Sequence, residues 1–265
     1  MFRMEKLKEA IRAKERLLIM FSGGLDSTLL AKIAFDELGD AACALSIKSP
    51  IIRSNEISEA GMNAEIIGIP HGVIEVDELA DDRTFAKNPI DRCYICRKSR
   101  NRAVIKWAGE KGFAIIADGM NYSDLEDYRP GIKAAREDCI WQPFVEFGIT
   151  KQEIRRISRM LNLPTWDKLP TVGLCSRFPY GYEITRERIQ RVEKAEALLE
   201  QLGFVNCRVR YFPFETAIIE VDDLQKALSL RDKLVSALAE IGFSFVSLDL
   251  EGCISGKMNR IVKKG

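Results

Sequence analysis

The chain has 265 residues, 46% hydrophobic and 30% charged, which is enough apolar sequence to fill one large core or two modest ones. Its 40 Lys and Arg balance 39 Asp and Glu, so a net charge of +1 offers no overall positive field for nucleic acid. No apolar run approaches the roughly 20 residues of a membrane span, and the first residues do not resemble a signal peptide. We therefore expect a soluble, cytoplasmic protein with neither a nucleic-acid nor a membrane partner.

Strand and helix patterns alternate through the first half of the chain. A charged amphipathic helix is predicted over residues 1–15. Strands are predicted at residues 17–21, 42–47, 64–69 and 113–117, and helices at residues 28–38, 53–63 and 97–111. Such alternation predicts an α/β fold, in which helices cover both faces of a parallel sheet.

A glycine-rich turn, SGGLDS at residues 22–27, joins the first predicted strand to the next helix. Glycines allow close approach of backbone N–H groups to a phosphate, and the helix N-terminus adds partial positive charge. No Lys follows the glycines, so the turn is not a Walker-type loop. The SGGxDS pattern resembles the pyrophosphate loop of enzymes that cleave ATP to AMP and pyrophosphate, and the alternative is a structural turn with an Asp cap. The predicted ATP-binding residues are Ser22, Gly23, Gly24, Asp26 and Ser27, with Asp26 the natural Mg²⁺ ligand.

The alternation of predicted strands and helices ends after the fourth predicted strand. Residues 118–121 lie at the same edge of the sheet as the glycine turn, and a polar connection over 122–131 follows. Thr150 and Glu153 form a capping pattern for a helix that ends near Leu161. Beyond residue 181 we predict a helix at 185–202, strands at 206–212 and 216–221, a helix ending at Ile241 and a strand at 245–250. This order predicts a smaller α+β domain at 181–265, after a pyrophosphate-loop domain at 1–180.

Seven cysteines in an intracellular chain favour chemistry or metal binding over disulfides. Cys93 and Cys96 form a CxxC at a predicted helix start, and Cys175 lies in a polar loop. Cys43 is predicted to be a small core residue, Cys207 and Cys253 lie in or beside strand patterns, and Cys139 receives no role. A lone CxxC fits a structural zinc site or a redox disulfide as well as an iron-sulfur cluster. The sole histidine, His71, falls in an unrelated predicted turn, which disfavours a closed four-ligand zinc site.

Four separated motifs, in the same order, resemble the LarE sulfur transferases, which mature the nickel-pincer nucleotide cofactor of lactate racemase. They are DYRPG at 127–131, SRFPYG at 176–181, RVR at 208–210, and LDL at 248–250 with SGKMN at 255–259. The resemblance spans nearly the whole chain. It implies an enzyme that uses ATP and Mg²⁺ to adenylate a carboxylate of pyridinium-3,5-biscarboxylic acid mononucleotide and then converts that carboxylate to a thiocarboxylate.

The chain departs from the best-known members of that family at one position. Those members carry a cysteine four residues before the SRFPYG run, and its sulfur is sacrificed; here that residue is Val172. Cys93, Cys96 and Cys175 stand where those members have other residues. The chain is thus similar to the branch that uses a 4Fe-4S cluster, with these three thiolates as the metal ligands. Three thiolates leave one iron without a protein ligand, where sulfide can bind.

The same resemblance implies the remaining site residues and the partners. Catalytic roles fall to Asp26, Cys175 and Arg177, and the substrate-binding residues are Arg177, Arg208, Arg210 and Glu196. Guanidinium groups suit the phosphate and carboxylates of the nucleotide substrate. By pattern alone, however, Arg208 and Arg210 belong to the solvated face of a strand, and Glu196 fits a solvated helix carboxylate nearly as well. A sulfide donor and a homotrimer or homohexamer built through the smaller domain complete the expectation.

Two other classes of enzyme share the SGGxDS turn. A tRNA thiolase also combines it with a CxxC, but such an enzyme needs an RNA-binding module and a basic surface. An amidating adenylate-forming ligase needs no cysteine, so its activity survives replacement of all three candidate ligands by Ser. A nucleotide-binding module without enzymatic activity is the more distant alternative.

Overall fold

The computed structural model describes residues 2–126, 130–254 and 256–260, and the chain divides into two compact units. Unit 1 comprises Met1–Asp81 and Cys93–Thr171, and unit 2 comprises Asp82–Arg92 and Val172–Gly265. Unit 1 ends at Thr171, and a short segment from the first half, Asp82–Arg92, belongs to unit 2. The predicted domain bounds, 1–180 and 181–265, stay a prediction.

Helices and strands are numbered in chain order. The helices are α1 (Phe2–Arg12), α2 (Leu25–Leu38), α3 (Glu56–Ile67), α4 (Glu78–Asp81), α5 (Arg83–Ala86), α6 (Arg92–Lys111), α7 (Pro130–Glu137), α8 (Pro143–Glu146), α9 (Lys151–Met160), α10 (Arg186–Gln201), α11 (Leu224–Ser229) and α12 (Arg231–Ile241). The strands are β1 (Leu17–Met20), β2 (Ala42–Lys48), β3 (His71–Glu75), β4 (Ile115–Asp118), β5 (Cys207–Phe212), β6 (Thr216–Val221) and β7 (Phe245–Leu248).

Unit 1 is built on a parallel sheet with the strand order β3-β2-β1-β4. Neighbouring residues of β1 enter opposite cores: Leu17 and Ile19 pack with α1, α2, α3 and α9, whereas Leu18 packs with α6 and α7. This alternation follows from the two-residue period of a strand. The predicted α/β fold, with helices on both faces of a parallel sheet, is confirmed.

One predicted strand is wrong. Residues 64–67 are the last turn of α3, which ends at Gly68 in the left-handed conformation (φ 87°). The third strand is β3, so His71 lies in a strand and not in a turn. The error has a physical reason, because a short apolar run containing Ala64, Ile66 and Ile67 fits a buried helix end as well as a strand. The CxxC, in contrast, lies at the start of α6, as predicted.

Unit 2 contains a three-stranded sheet in which β5 and β6 are antiparallel and β6 and β7 are parallel. Val209, Tyr211, Ala217 and Ile219 are buried on the face that α10 and α12 cover. The predicted α+β order of helix, strand, strand, helix and strand is confirmed, although the second helix divides into α11 and α12 at Leu230. Within the described residues, no helix combines the length and the apolar character needed to cross a membrane.

Candidate active site

The glycine turn of unit 1 is held by its own hydroxyl groups. Gly23 has φ 65°, and a Cβ there would lie 2.7 Å from the Cα of Ala60, so the turn requires glycine. The Oγ of Ser22 accepts a hydrogen bond from Gly24 N at 3.3 Å and lies 3.1 Å from the Oγ of Ser27. Helix α2 begins at Leu25, directly after the turn. The predicted strand, turn and helix order is therefore present, and within the described residues no side-chain hydrogen bond caps the N-terminus of α2.

The end of β4 packs directly against the start of α2. A Cβ on Gly119 would lie 2.8 Å from the backbone nitrogen of Ser27, so the two backbones touch. Two residues later, Asn121 donates a hydrogen bond from Nδ2 to the Oδ1 of Asp26 at 3.2 Å. The prediction that residues 118–121 share an edge of the sheet with the glycine turn is confirmed.

Two lysines outside the predicted set of site residues lie at the glycine turn. Lys151, the first residue of α9, forms an ion pair with Asp26. Lys168 binds the carboxylate of Glu59 at 2.7 Å and donates to the carbonyl oxygen of Gly23 at 3.5 Å. Burial raises the pKa of Glu56, and the positive charges of Lys168 and Arg53 oppose that rise. The turn that lacks its own lysine thus has two ammonium groups from distant parts of the chain.

Cys93 and Cys96 lie three residues apart at the start of α6, where such residues share one face of a helix. Cys93 is exposed and Cys96 is half-buried. The Sγ of Cys96 donates to the Oε1 of Glu78 at 3.7 Å. Glu78 is fully buried and also accepts from Ser49 at 2.5 Å and from Arg100 at 2.6 Å. Two thiols on one helical face suit joint ligation of an iron-sulfur cluster.

Cys175 belongs to unit 2 and lies half-buried in a 3₁₀ turn, Leu174–Arg177. Val172, where the resemblance leads one to expect a sacrificial cysteine, is 45% exposed. Among the described residues, no three His, Cys, Asp or Glu side chains are grouped so as to hold a metal ion. The donor chemistry of Cys93, Cys96 and Cys175 fits a cluster. Ligation by these three residues stays a prediction.

Arg177 and Glu196 form a buried ion pair in unit 2. Arg177 donates from Nε and Nη2 to the two carboxylate oxygens of Glu196, at 2.6 and 3.1 Å. Glu196 is fully buried and accepts a third hydrogen bond from Val209 N at 3.0 Å. The alternative interpretation of Glu196 as a solvated helix carboxylate is therefore wrong.

Arg210 forms a second buried pair, with Glu220 on the neighbouring strand. Both hydrogen bonds measure 2.8 Å, and a third runs from Nη1 of Arg210 to the carbonyl oxygen of Ser176 at 2.8 Å. Arg208 is half-buried and donates to Ile254 O at 3.2 Å. The strand pattern, which predicted a solvated face, is wrong for Arg210, because Glu220 compensates its charge across the β5–β6 ladder.

The SRFPYG run is fastened by the segment from the first half that belongs to unit 2. Asn88 is buried and has φ 55°. Its Nδ2 donates to Pro179 O at 2.7 Å, and its backbone carbonyl oxygen accepts from Gly181 N at 2.8 Å. Arg92 donates to the Oδ1 of Asn88 at 2.7 Å, and its guanidinium lies 4.3 Å from the ring centre of Tyr180. Arg92 directly precedes the first cysteine of the CxxC in the chain.

Other residues of the resemblance motifs lie outside the described residues, namely Asp127, Tyr128, Arg129 and Ser255. In the last two motifs, LDL at 248–250 and SGKMN at 255–259, Asp249 and Lys257 form an ion pair. Sequence signals existed for some of the residues that were missed: Asn121 lies at the predicted strand edge, and Lys151 follows a predicted cap. Lys168 and Glu220 have no such signal, because tertiary folding alone brings them to their partners.

The fold and the glycine turn together define a nucleotide-binding α/β enzyme of the pyrophosphate-loop ATPase superfamily. The chain is 29% identical over 173 residues to the NH₃-dependent NAD⁺ synthetase of Halobacterium salinarum, covering 62% of this chain and 63% of that one. No family model matches the chain.

A second comparison identifies the family. The chain is 35% identical over 261 residues to the pyridinium-3,5-bisthiocarboxylic acid mononucleotide synthase of Lactiplantibacillus plantarum, covering 97% of this chain and 94% of that protein. It is also 41% identical over 266 residues to an uncharacterised protein of Synechocystis, covering 99% and 98% of the two chains. The chain belongs to the LarE family of sulfur transferases, and it is an enzyme.

Proposed function

We propose that the protein adenylates a carboxylate of pyridinium-3,5-biscarboxylic acid mononucleotide with ATP. Sulfide then forms a bond to the acyl carbon, and AMP leaves with the electron pair of the broken C–O bond, which gives a thiocarboxylate. The Lactiplantibacillus plantarum relative, named for the bisthiocarboxylic product, supports the substrate and the sulfur transfer. The observation that carries the ATP step is the glycine turn, with Lys151 and Lys168 beside it.

Adenylation needs positioning and charge stabilisation more than covalent help. A carboxylate oxygen of the substrate attacks the α-phosphorus of ATP, a new O–P bond forms, and the bond to the β-phosphate oxygen breaks. Pyrophosphate leaves with the electron pair of that bond. The ammonium groups of Lys151 and Lys168 stabilise its negative charge, as oriented cations do at transferring phosphoryl groups. Asp26 would hold Mg²⁺, which neutralises charge on the phosphates when bound.

The arginines of unit 2 are proposed to bind the nucleotide substrate. Glu196 and Glu220 each hold two nitrogens of a guanidinium, so Arg177 and Arg210 cannot rotate freely. Arg208, half-buried, adds a third positive charge. Guanidinium groups fixed in this way bind phosphate and carboxylate without further loss of side-chain entropy.

For sulfur transfer, Cys93, Cys96 and Cys175 would hold a 4Fe-4S cluster, which supplies transferable sulfide when bound. The thiolates of this chain are then ligands and are not consumed. Val172 has no sulfur to give, so the sacrificial route of the best-known relatives is not open at that position.

Product analysis tests the proposal. Protein purified without oxygen is supplied with iron, sulfide, a reductant, ATP, Mg²⁺ and the biscarboxylic mononucleotide. We expect AMP, pyrophosphate and a thiocarboxylated product identified by its mass. Release of ADP and orthophosphate contradicts the adenylation step. An amide product with ammonia favours the amidating ligase, and thiolated tRNA favours the thiolase.

A further inference from the structure

Asn121 is a buried side chain with an unsatisfied atom. It is 1% exposed, and its Oδ1 has no hydrogen-bond partner among the residues that the structure describes. Its other polar groups are engaged: Nδ2 donates to Asp26 at 3.2 Å, and the backbone N donates to Asp124 at 3.1 Å. Buried carbonyl oxygens are nearly always paired, so an unpaired one calls for an explanation.

The orientation of this amide follows from its partner. The carboxylate of Asp26 only accepts hydrogen bonds, so the NH₂ group of Asn121 must face it and Oδ1 must point elsewhere. The backbone contact between Gly119 and Ser27 fixes the chain that carries Asn121 against the start of α2. An amide oxygen is therefore held beside the aspartate of the glycine turn.

An unpaired oxygen does not by itself make a site, and the same unit contains a matched counterexample. Asn101 is fully buried, its Oδ1 also has no partner among the described residues, and its Nδ2 donates to Asp138 at 2.8 Å. Asp138 pairs with Lys98, as Asp26 pairs with Lys151. The difference is position: Asp138 directly follows α7, whereas Asp26 lies in the first turn of the helix after a glycine-rich turn.

That position is where a parallel sheet binds its ligands, and carboxylate and amide oxygens are ligands that Mg²⁺ accepts. We propose that Asn121 is a further residue of the Mg²⁺–ATP site. Its Nδ2 orients Asp26, and its Oδ1 is a second protein oxygen ligand of the cation that Asp26 holds. This inference rests on the proposed ATP-dependent function and adds a metal ligand to it.

The test measures metal binding directly. Mn²⁺, which shares the oxygen preference of Mg²⁺, is titrated by electron paramagnetic resonance in the presence of α,β-methylene-ATP, which cannot be cleaved to AMP. We expect Asn121→Ala to weaken Mn²⁺ binding about tenfold or more, the range seen when groups that support a metal site are removed. Asn101→Ala, which removes the same kind of buried amide, should keep the affinity of the original protein.

Asn121→Asp covers the case in which the alanine variant does not fold. The substitution replaces the amide by a carboxylate beside Asp26, so repulsion between the two carboxylates lowers the melting temperature of the variant without metal. Mn²⁺ with the nucleotide then raises that temperature more than it does in the unsubstituted protein.

The inference is overturned if Asn121→Ala binds Mn²⁺ within about twofold of the unsubstituted protein, a difference below the range for metal-supporting groups. It is also overturned if Asn101→Ala loses as much affinity, or if Mn²⁺ gives Asn121→Asp no extra stabilisation. An unsubstituted protein that binds neither nucleotide nor Mn²⁺ contradicts the proposed ATP function itself.

Discussion

Arg177 and Glu196 are joined by two hydrogen bonds, of 2.6 and 3.1 Å, and the exposed fractions of their side chains are 5% and 1%. Glu196→Ala leaves a buried guanidinium without its carboxylate, and removing one partner of a buried pair destabilises a protein by about 3–5 kcal/mol. We expect the free energy of unfolding in urea to fall by that amount. Lys194→Ala, at an exposed position of the same helix, is the control. Equal losses of unfolding free energy in the two variants would contradict a stabilising role for the Arg177–Glu196 pair.

Glu196→Gln separates positioning from stability. The amide oxygen still accepts one hydrogen bond from Arg177, but the carboxylate charge is lost. We expect a smaller loss of stability and a raised KM for the nucleotide substrate at an unchanged KM for ATP. A change in the KM for ATP alone would show that the Arg177–Glu196 pair does not help to bind the nucleotide substrate.

Lys168→Met should impair adenylation without unfolding the protein. The ammonium group lies at the carbonyl of Gly23, and removing one stabilising donor from a site of developing charge typically lowers kcat by about a hundredfold or more. Pyrophosphate release is the measurement. Lys32→Met, which removes an ammonium that pairs with Asp36 on the surface of α2, should release pyrophosphate at the original rate. A fully active Lys168→Met variant would exclude the ammonium from the ATP step.

Local signals predicted β1, β2 and β4 of the unit 1 sheet and the glycine turn. The cap at Thr150 was predictable because its two hydrogen bonds involve residues three apart, and both are present. β1 was predictable because a strand buried on both faces is a continuous apolar run. β3 was missed because His71, Gly72 and Glu75 interrupt any apolar pattern at the edge of the sheet.

Charge compensation across the fold was not predictable. Arg210 lies in an alternating pattern that usually marks a solvated face. In the register of β5 with β6, Glu220 is opposite Arg208, and the Arg210 side chain reaches Glu220 diagonally across the two strands. Lys168 reaches Gly23 over 145 residues of chain. Partners so distant in sequence leave no periodic pattern, and one sequence cannot show which of its charges will pair.

His71 should make stability depend on pH. Burial lowers the pKa of its imidazole, so below a pH of about 6.5 the unfolded chain binds more protons than the folded chain. The free energy of unfolding therefore falls as the pH drops through that value towards the lowered pKa. Urea midpoints for the protein and for His71→Gln, compared between roughly pH 5 and 7.5, should converge at the acid end. If the urea midpoints of the two proteins change with pH in parallel, His71 does not contribute to the pH dependence of stability.

The apolar surface of unit 2 should mediate assembly. Phe245, on the edge strand β7, is 60% exposed, and Phe214 is 79% exposed. Among the described residues β7 has a neighbouring strand on one side only. Exposed aromatic groups beside such an edge are typical of surfaces that a second copy covers. We expect a homotrimer or homohexamer in sedimentation velocity, and dissociation in Phe245→Asp. A protein that is monomeric at every concentration contradicts the proposal.

The sharpest prediction concerns the fate of the cysteines. Because Val172 cannot donate sulfur, one subunit should turn over repeatedly when iron, sulfide and reductant are supplied, and its mass should be unchanged afterwards. Cys93→Ser, Cys96→Ser or Cys175→Ser should each lower the iron bound per subunit, because two thiolates hold a 4Fe-4S cluster poorly. Cys139→Ser, at an exposed cysteine outside the predicted set, is the control and should keep the iron.

Release of pyrophosphate should survive all three of these substitutions, since the glycine turn and its two lysines contain no thiol. Iron content, absorbance and intact mass are therefore read on the same samples as pyrophosphate. If Cys175 instead becomes dehydroalanine in a protein without iron after one turnover, it is a relocated sacrificial donor. The cluster proposal then fails while adenylation stands.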